Sequence, residues 1–117
     1  ELKPDKVLSM IGIAARAGNI VSGEFSTEKA VKSGKAYLVI AAVDASENTK
    51  KHCMDMCSYR GLPYFEYADK ERLGNSIGKA YRASLAVTDA NRAETIIKKL
   101  KESGIGPAPR RLQESNN

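Results

Sequence analysis

Two short stretches of this 117-residue chain combine residue types suited to binding a polyanion. The first, GEFSTEKAVKSGKA at residues 23 to 36, reads as the opening turns of a helix. The first amides of a helix have no internal partners and carry the positive end of its dipole, so they bind phosphate and other acceptors. Gly23 lets a backbone or ligand come close. If the helix starts there, Phe25, Lys29 and Lys32 fall within one broad face, and Lys29 can reach a phosphate or the acceptor edge of a guanine. Glu24 can receive hydrogen bonds from base amino groups. The same residues also fit a purely structural account: Gly23 as a turn, Ser22 or Ser26 as a cap, Glu24 and Glu28 as dipole partners, the lysines as a solvated face. The second stretch, IGKAYRAS at 77 to 84, joins Gly78, Lys79, Tyr81 and Arg82 in one loop. Bases stack on tyrosine or guanidinium planes while cations meet phosphates, although an ordinary exposed loop fits these residues too.

Catalytic and metal-binding patterns are missing by comparison. The nearest match to a phosphate-binding GxxxxGK[ST] loop, Ser33-Gly34-Lys35-Ala36, lacks both the first glycine and the hydroxyl, and there is no GxGxxG or GxSxG. His52 is the only imidazole and sits mid-helix among Lys50 and Lys51, so histidine-based acid–base catalysis would rest on it alone. Cys53 and Cys57 stand four apart in a helical segment, where two side chains share a face but bridge poorly. With a single histidine and no second cysteine pair, they read as free thiols filling space in a reduced compartment, with no metal or other cofactor expected.

The elements that must carry these stretches follow from hydrophobic spacing. Asp5 to Ala17 places Val7, Leu8, Ile11 and Ala14 or Ala15 on one helical stripe ended by Gly18. Asn19 to Ser22 is a short extended piece, and a second helix runs from Gly23 or Glu24 to Ser33, with Ala30 and Val31 inward. Tyr37 to Val43 is continuously apolar and partly β-branched, the pattern of a strand covered on both faces. Asp44 and Ser46 offer cap oxygens to a helix over Glu47 to Tyr59, stopped by Gly61 and Pro63. A strand at Tyr64 to Tyr67, a helix from Lys70 to Ile77 capped by Asp69, a strand at Ser84 to Val87 and a helix over Asp89 to Glu102 complete the series. Alternating strands and helices predict a three-layer α/β/α sandwich with a mixed sheet of roughly four strands, a single domain over residues 1–102. From Ser103 onward the Gly, Pro and polar content reads as a disordered tail.

Composition supports this. Apolar residues at 42% and charged residues at 28% are an ordinary globular balance, so the chain should fold without a disulfide or metal staple. The longest strongly apolar run, Leu38 to Val43, is far short of a membrane span, and the chain is read as soluble and cytoplasmic. Nineteen Lys and Arg against fourteen Asp and Glu give +5. The last fifteen residues hold two Arg and one Glu, which leaves +4 on the rest, so the excess positive charge belongs mostly to the folded part.

The combination of GEFSTEKAVKSGKAYLVIAAVDAS, then ENTKK, then LGNSIGKAYRASLAVTD resembles the kink-turn-binding ribosomal protein family that includes archaeal ribosomal protein L-seven-Ae, and within it the small bacterial YlxQ-like members. The similarity covers roughly residues 5 to 100. It implies an α/β/α fold, no catalysis, and recognition of a sharply bent RNA helix flanked by sheared G·A pairs. The implied partner is ribosomal or another kink-turn RNA, not DNA or membrane, met by a monomer that can be ribosome-associated. By position it implies Gly23, Glu24, Phe25, Ser26 and Lys29 at the helix start, Lys79, Ala80, Tyr81, Arg82 and Ala83 in the loop, and Ser46 as a third contact, with Asp44 structural. Family members that read the G·A pairs carry Asn-Glu where this chain has Phe25-Ser26. Phenylalanine neither donates nor accepts, so more of the affinity is expected from salt-sensitive phosphate contacts. An alternative is a protein-interaction module of the same fold with Phe25 as its anchor.

Overall fold

Four helix starts are set by a side-chain oxygen three residues before a free amide. In the computed structural model, which describes residues 5–108, Asp5 caps α1 (Lys6–Arg16), Ser46 caps α3 (Glu47–Arg60), Asp69 caps α4 (Lys70–Ser76) and Asp89 caps α5 (Ala90–Glu102). Each accepts a backbone N–H, from Leu8, Thr49, Arg72 and Arg92 respectively, at 2.7 to 3.1 Å. The exception is α2 (Glu24–Lys32), which starts on Gly23 and has no side-chain cap.

Four strands, β1 (Ile20–Ser22), β2 (Leu38–Ala41), β3 (Tyr64–Glu66) and β4 (Ser84–Val87), form one sheet in the order β1-β4-β2-β3. β2 and β3 are parallel; β4 lies antiparallel to both neighbours, with Val21 opposite Ala86 and Val39 opposite Ala86. The expected mixed four-stranded sheet and three layers are therefore observed. Alternate residues of the central strands face opposite layers. Leu38, Ile40, Phe65, Leu85 and Val87 pack under α1, α4 and α5 with Val7, Ile11, Leu73, Ile96 and Leu100. Val39, Ala41, Tyr64 and Ala86 pack under α2 and α3 with Val31, Cys53, Met54 and Cys57. Each fully buried Leu, Ile or Phe contributes about 1.5–3 kcal/mol of transfer free energy, so these two clusters supply most of the folding drive.

The central strand is shorter than its apolar run. Ala42 lies beyond the strand although its amide still donates to Ala83 O at 2.8 Å, in register with β4. Val43 N–H donates to Ala68 O at 2.8 Å, and Tyr37 and Val43 are exposed. Residues 103–108, which sequence assigns to the tail, lie against the domain. Ile105 packs on the first cluster, and Ala108 N–H donates to Tyr64 O at 3.0 Å on the edge strand. The rest of the expected tail, 109–117, lies outside the described residues. Among the described residues no helix is long and apolar enough to cross a membrane.

Candidate nucleic-acid interface

Strand direction decides where the two basic stretches go. β1, β2 and β3 run one way and β4 the other, so the start of α2, the 42–46 turn and the 77–83 loop all emerge at one end of the sheet. Direct bonds hold them there. Gly23 N–H donates to Ser84 O at 2.9 Å, Arg82 Nε donates to Ser22 Oγ at 2.9 Å, and Ala42 N–H donates to Ala83 O. On the other flank, Ser46 Oγ donates to Thr49 Oγ1 at 3.0 Å, and Thr49 Oγ1 donates to the Glu24 carboxylate. The helix start is thus clamped from the loop on one side and from α3 on the other.

Gly23 has φ +90° and ψ 158°, a conformation open to glycine and strained for other residues. It turns the chain out of β1 and leaves the first amides of α2 facing outward without a side-chain acceptor. Beside them Phe25 is 78% exposed and Tyr81 is 62% exposed. Phe25, Ser26 and Lys29 line a groove of about 300 Å³ with Val21, Lys35 and Thr88. Lys29 and Lys79 are exposed and have no ion pair among the described residues. Ala80 is exposed as well, whereas Ala83 is half-buried against the core.

Two sequence-predicted residues are already engaged by neighbours. Lys32 pairs with Glu28 at 2.5 Å and lines a separate hollow with His52 and Asp55. Glu24 turns one carboxylate oxygen to Thr49, so part of its capacity for a base amino group is already used. Asp44 accepts from Lys70 N–H at 2.9 Å and serves the start of α4, the structural role expected of it.

Residues outside the expected set complete the site. Ser22 receives Arg82, Thr49 bridges Ser46 to Glu24, and Gly74 lets the loop lie on α4: a Cβ there would stand 2.9 Å from the backbone of Tyr81. Only Gly74 carries a local signal, since a glycine inside a helix costs stability and marks close approach. Elsewhere, His52 Nε2 lies 3.3 Å from Glu28 Oε1 and its ring is turned to that carboxylate. Cys53 and Cys57 are free and buried, and among the described residues no cluster of His, Cys, Asp and Glu is placed to hold a metal.

Comparison with known proteins decides the lineage. The profile of the ribosomal protein L7Ae/L30e/S12e/Gadd45 family matches residues 5–97. The chain belongs to that family. Over 88 residues it is 41% identical to the RNA-binding protein YlxQ of Bacillus subtilis (strain 168), a match covering 75% of this chain and 88% of the relative. An Enterococcus faecium protein also named RNA-binding protein YlxQ is 42% identical over 74 residues, covering 63% of this chain and 72% of its own. Among solved structures, a protein of unknown function from Bacillus halodurans C superimposes with a TM-score of 0.81 at 35% identity, covering 84% of this chain and 99% of that one. The Giardia lamblia 15.5kD RNA binding protein gives 0.70 at 22% identity over 86% and 92% of the two chains, a likeness of fold. In this member of the L7Ae/L30e family, the uncapped helix start and the loop before β4 adjoin at one end of the sheet, with Phe25 and Tyr81 as their exposed aromatic residues.

Proposed function

We propose that the chain is a non-catalytic protein that binds structured RNA, recognising a kink-turn or similarly bent helix through the start of α2 and the 78–83 loop. The RNA is of the ribosomal or another kink-turn class, and the protein acts beside the bacterial ribosome as a monomer. One observation carries this reading: the uncapped amides of α2 and the Lys79–Arg82 loop are bonded into one surface through Gly23 and Ser22, with two aromatic residues left to solvent. Amides at the positive end of a helix and unpaired lysines suit phosphates, and exposed rings suit unstacked bases. The names of the bacterial relatives support RNA as the partner. Because Phe25 cannot read a base edge by hydrogen bonds, stacking and phosphate contacts supply the affinity. The test compares a kink-turn RNA with a plain duplex of equal length at two salt concentrations. Preference for the bent RNA that survives higher salt is the expected result; equal, salt-erased binding to both overturns it.

The exposure of Phe25 favours a second reading, a protein-interaction module of the same fold. It requires Phe25→Ala to abolish a protein pull-down while leaving RNA affinity unchanged.

A further inference from the structure

A groove runs between α1 and α4. Its two connected parts, about 490 and 370 Å³, share Gly12, Arg16, Asn75 and Ser76; one reaches Asp5 and Arg72, the other reaches Gly78 at the root of the loop. The groove is narrow because the helices nearly touch at Gly12, where a Cβ would meet Ser76 O at 2.8 Å.

Its chemistry is one-sided. Arg16 is exposed and has no ion pair among the described residues. Arg72 is 54% exposed at its side chain and is held from one side by Asp5 Oδ2 at 3.1 Å, its one ion pair among the described residues. Among the described residues Asp5 is the only carboxylate lining the groove, and both its oxygens are occupied: Oδ1 accepts from Leu8 N–H, and Oδ2 accepts from Tyr67 and Arg72. Ser9 and Asn75 add neutral donors along the walls. Two guanidinium groups with neutral donors between them match phosphate oxygens, which accept forked hydrogen bonds.

The groove adjoins the candidate interface at one end, where its lining reaches Ile77 and Gly78, next to Lys79. The loop itself rests on another face of α4, through Lys79 N–H to Gly74 O at 2.8 Å and Arg82 N–H to Lys70 O at 3.0 Å. A nucleic acid engaged by Lys79 and Tyr81 has the mouth of the groove next to it. We propose that the α1–α4 groove is a second contact for the same RNA, with Arg16 and Arg72 holding phosphates of one helical arm as it leaves the bend. This rests on the RNA-binding reading above and adds which arm-borne contacts extend it.

The test uses the full chain, a kink-turn RNA with both stems long, and two versions in which each stem in turn is trimmed to the few pairs beside the bend. Arg16→Gln is expected to weaken binding to the long RNA about five-fold and to lower the salt slope by about one, because one phosphate contact is lost. Trimming the stem that reaches the groove should weaken the wild type similarly and leave Arg16→Gln with no additional loss. Lys101→Gln, at the exposed end of α5, controls for net charge. Thermal melting of both variants at the wild-type temperature establishes that the fold is kept. The inference is overturned if Arg16→Gln binds the long RNA as the wild type does, if it loses equally on all three RNAs, or if Lys101→Gln loses as much. Failure of the wild type to prefer any of the bent RNAs over a duplex overturns the primary reading, and this one with it.

Discussion

At the scale of single residues, Arg82 and Lys29 stand at opposite flanks of the candidate interface and differ in kind. Lys29 has no ion pair among the described residues, whereas Arg82 is already committed to Ser22 Oγ and to Tyr81 O at 2.7 Å. The Lys29→Ala, Arg82→Ala double variant should keep its circular-dichroism spectrum and lose about ten-fold or more in affinity for a kink-turn RNA, since two cation contacts are removed. Unchanged affinity in a titration would exclude both residues. Arg82→Lys separates charge from position: if the guanidinium matters by bracing the loop against β1, lysine restores little of the loss. Asp5 offers a stability test. Burial alone pushes its pKa up, but the Leu8 amide, the Tyr67 hydroxyl and Arg72 outweigh that and hold its carboxyl below the ordinary carboxylate range. A carboxylate with a depressed folded pKa stabilises fully above its unfolded pKa, and that contribution is lost as pH falls through the folded value. Asp5→Ala should therefore cost about 1–2 kcal/mol in urea denaturation at neutral pH, mostly through the lost cap, and the gap between variant and wild type should close in strong acid.

At the scale of elements, the glycines beneath the loop matter more than the loop's own side chains. A methyl at Gly74 would press on N, Cα and C of Tyr81 at 2.9 Å, and backbone cannot yield as a flexible side chain would. Gly74→Ala should destabilise by about 1–3 kcal/mol and weaken RNA binding in parallel, which melting and titration of the same sample will register. Gly23→Ala meets open space but must hold φ +90°, so its cost of about 1–3 kcal/mol is strain, and it falls on the helix start itself. The elements were largely legible in the sequence. Asp5, Ser46, Asp69 and Asp89 each cap the helix they precede because a cap needs only a short side chain and an amide three residues on. The strand at Leu38–Ala41 could be read from its continuous apolar run, and its ends could not, because the apolar run continues through Ala42 and Val43 past the end of the strand, where Val43 N–H goes to Ala68 O. Helical spacing placed Lys32 on α2, but it could not show that its ammonium pairs with Glu28.

At the scale of the molecule, the three-layer class followed from alternating elements, but the strand order did not. No local pattern says that the last strand lies between the first and second, and it is this order that brings Ser22 to Arg82. The tightness of the whole can be read at Cys53 and Cys57. Both lie under α3 against the sheet, and burial pushes their thiols up to about 11 and about 12, so at neutral pH they are protonated as well as shielded. Thiol reagents should label neither until the domain opens, and the labelling rate should track the unfolding equilibrium. Rapid labelling in native buffer would mean that α3 detaches on its own.

The insertion of β4 between β1 and β2 also sets a timetable. As the chain leaves the ribosome, β2, α3 and β3 can pair as soon as residue 66 has emerged, but β1 has no strand to lie against until residue 87 follows. Until then Gly23 lacks Ser84, and the loop lacks its seat beside Ser22. A nascent chain of this protein therefore carries no finished surface for a polyanion until β4 has emerged, and acquires one almost all at once when it does.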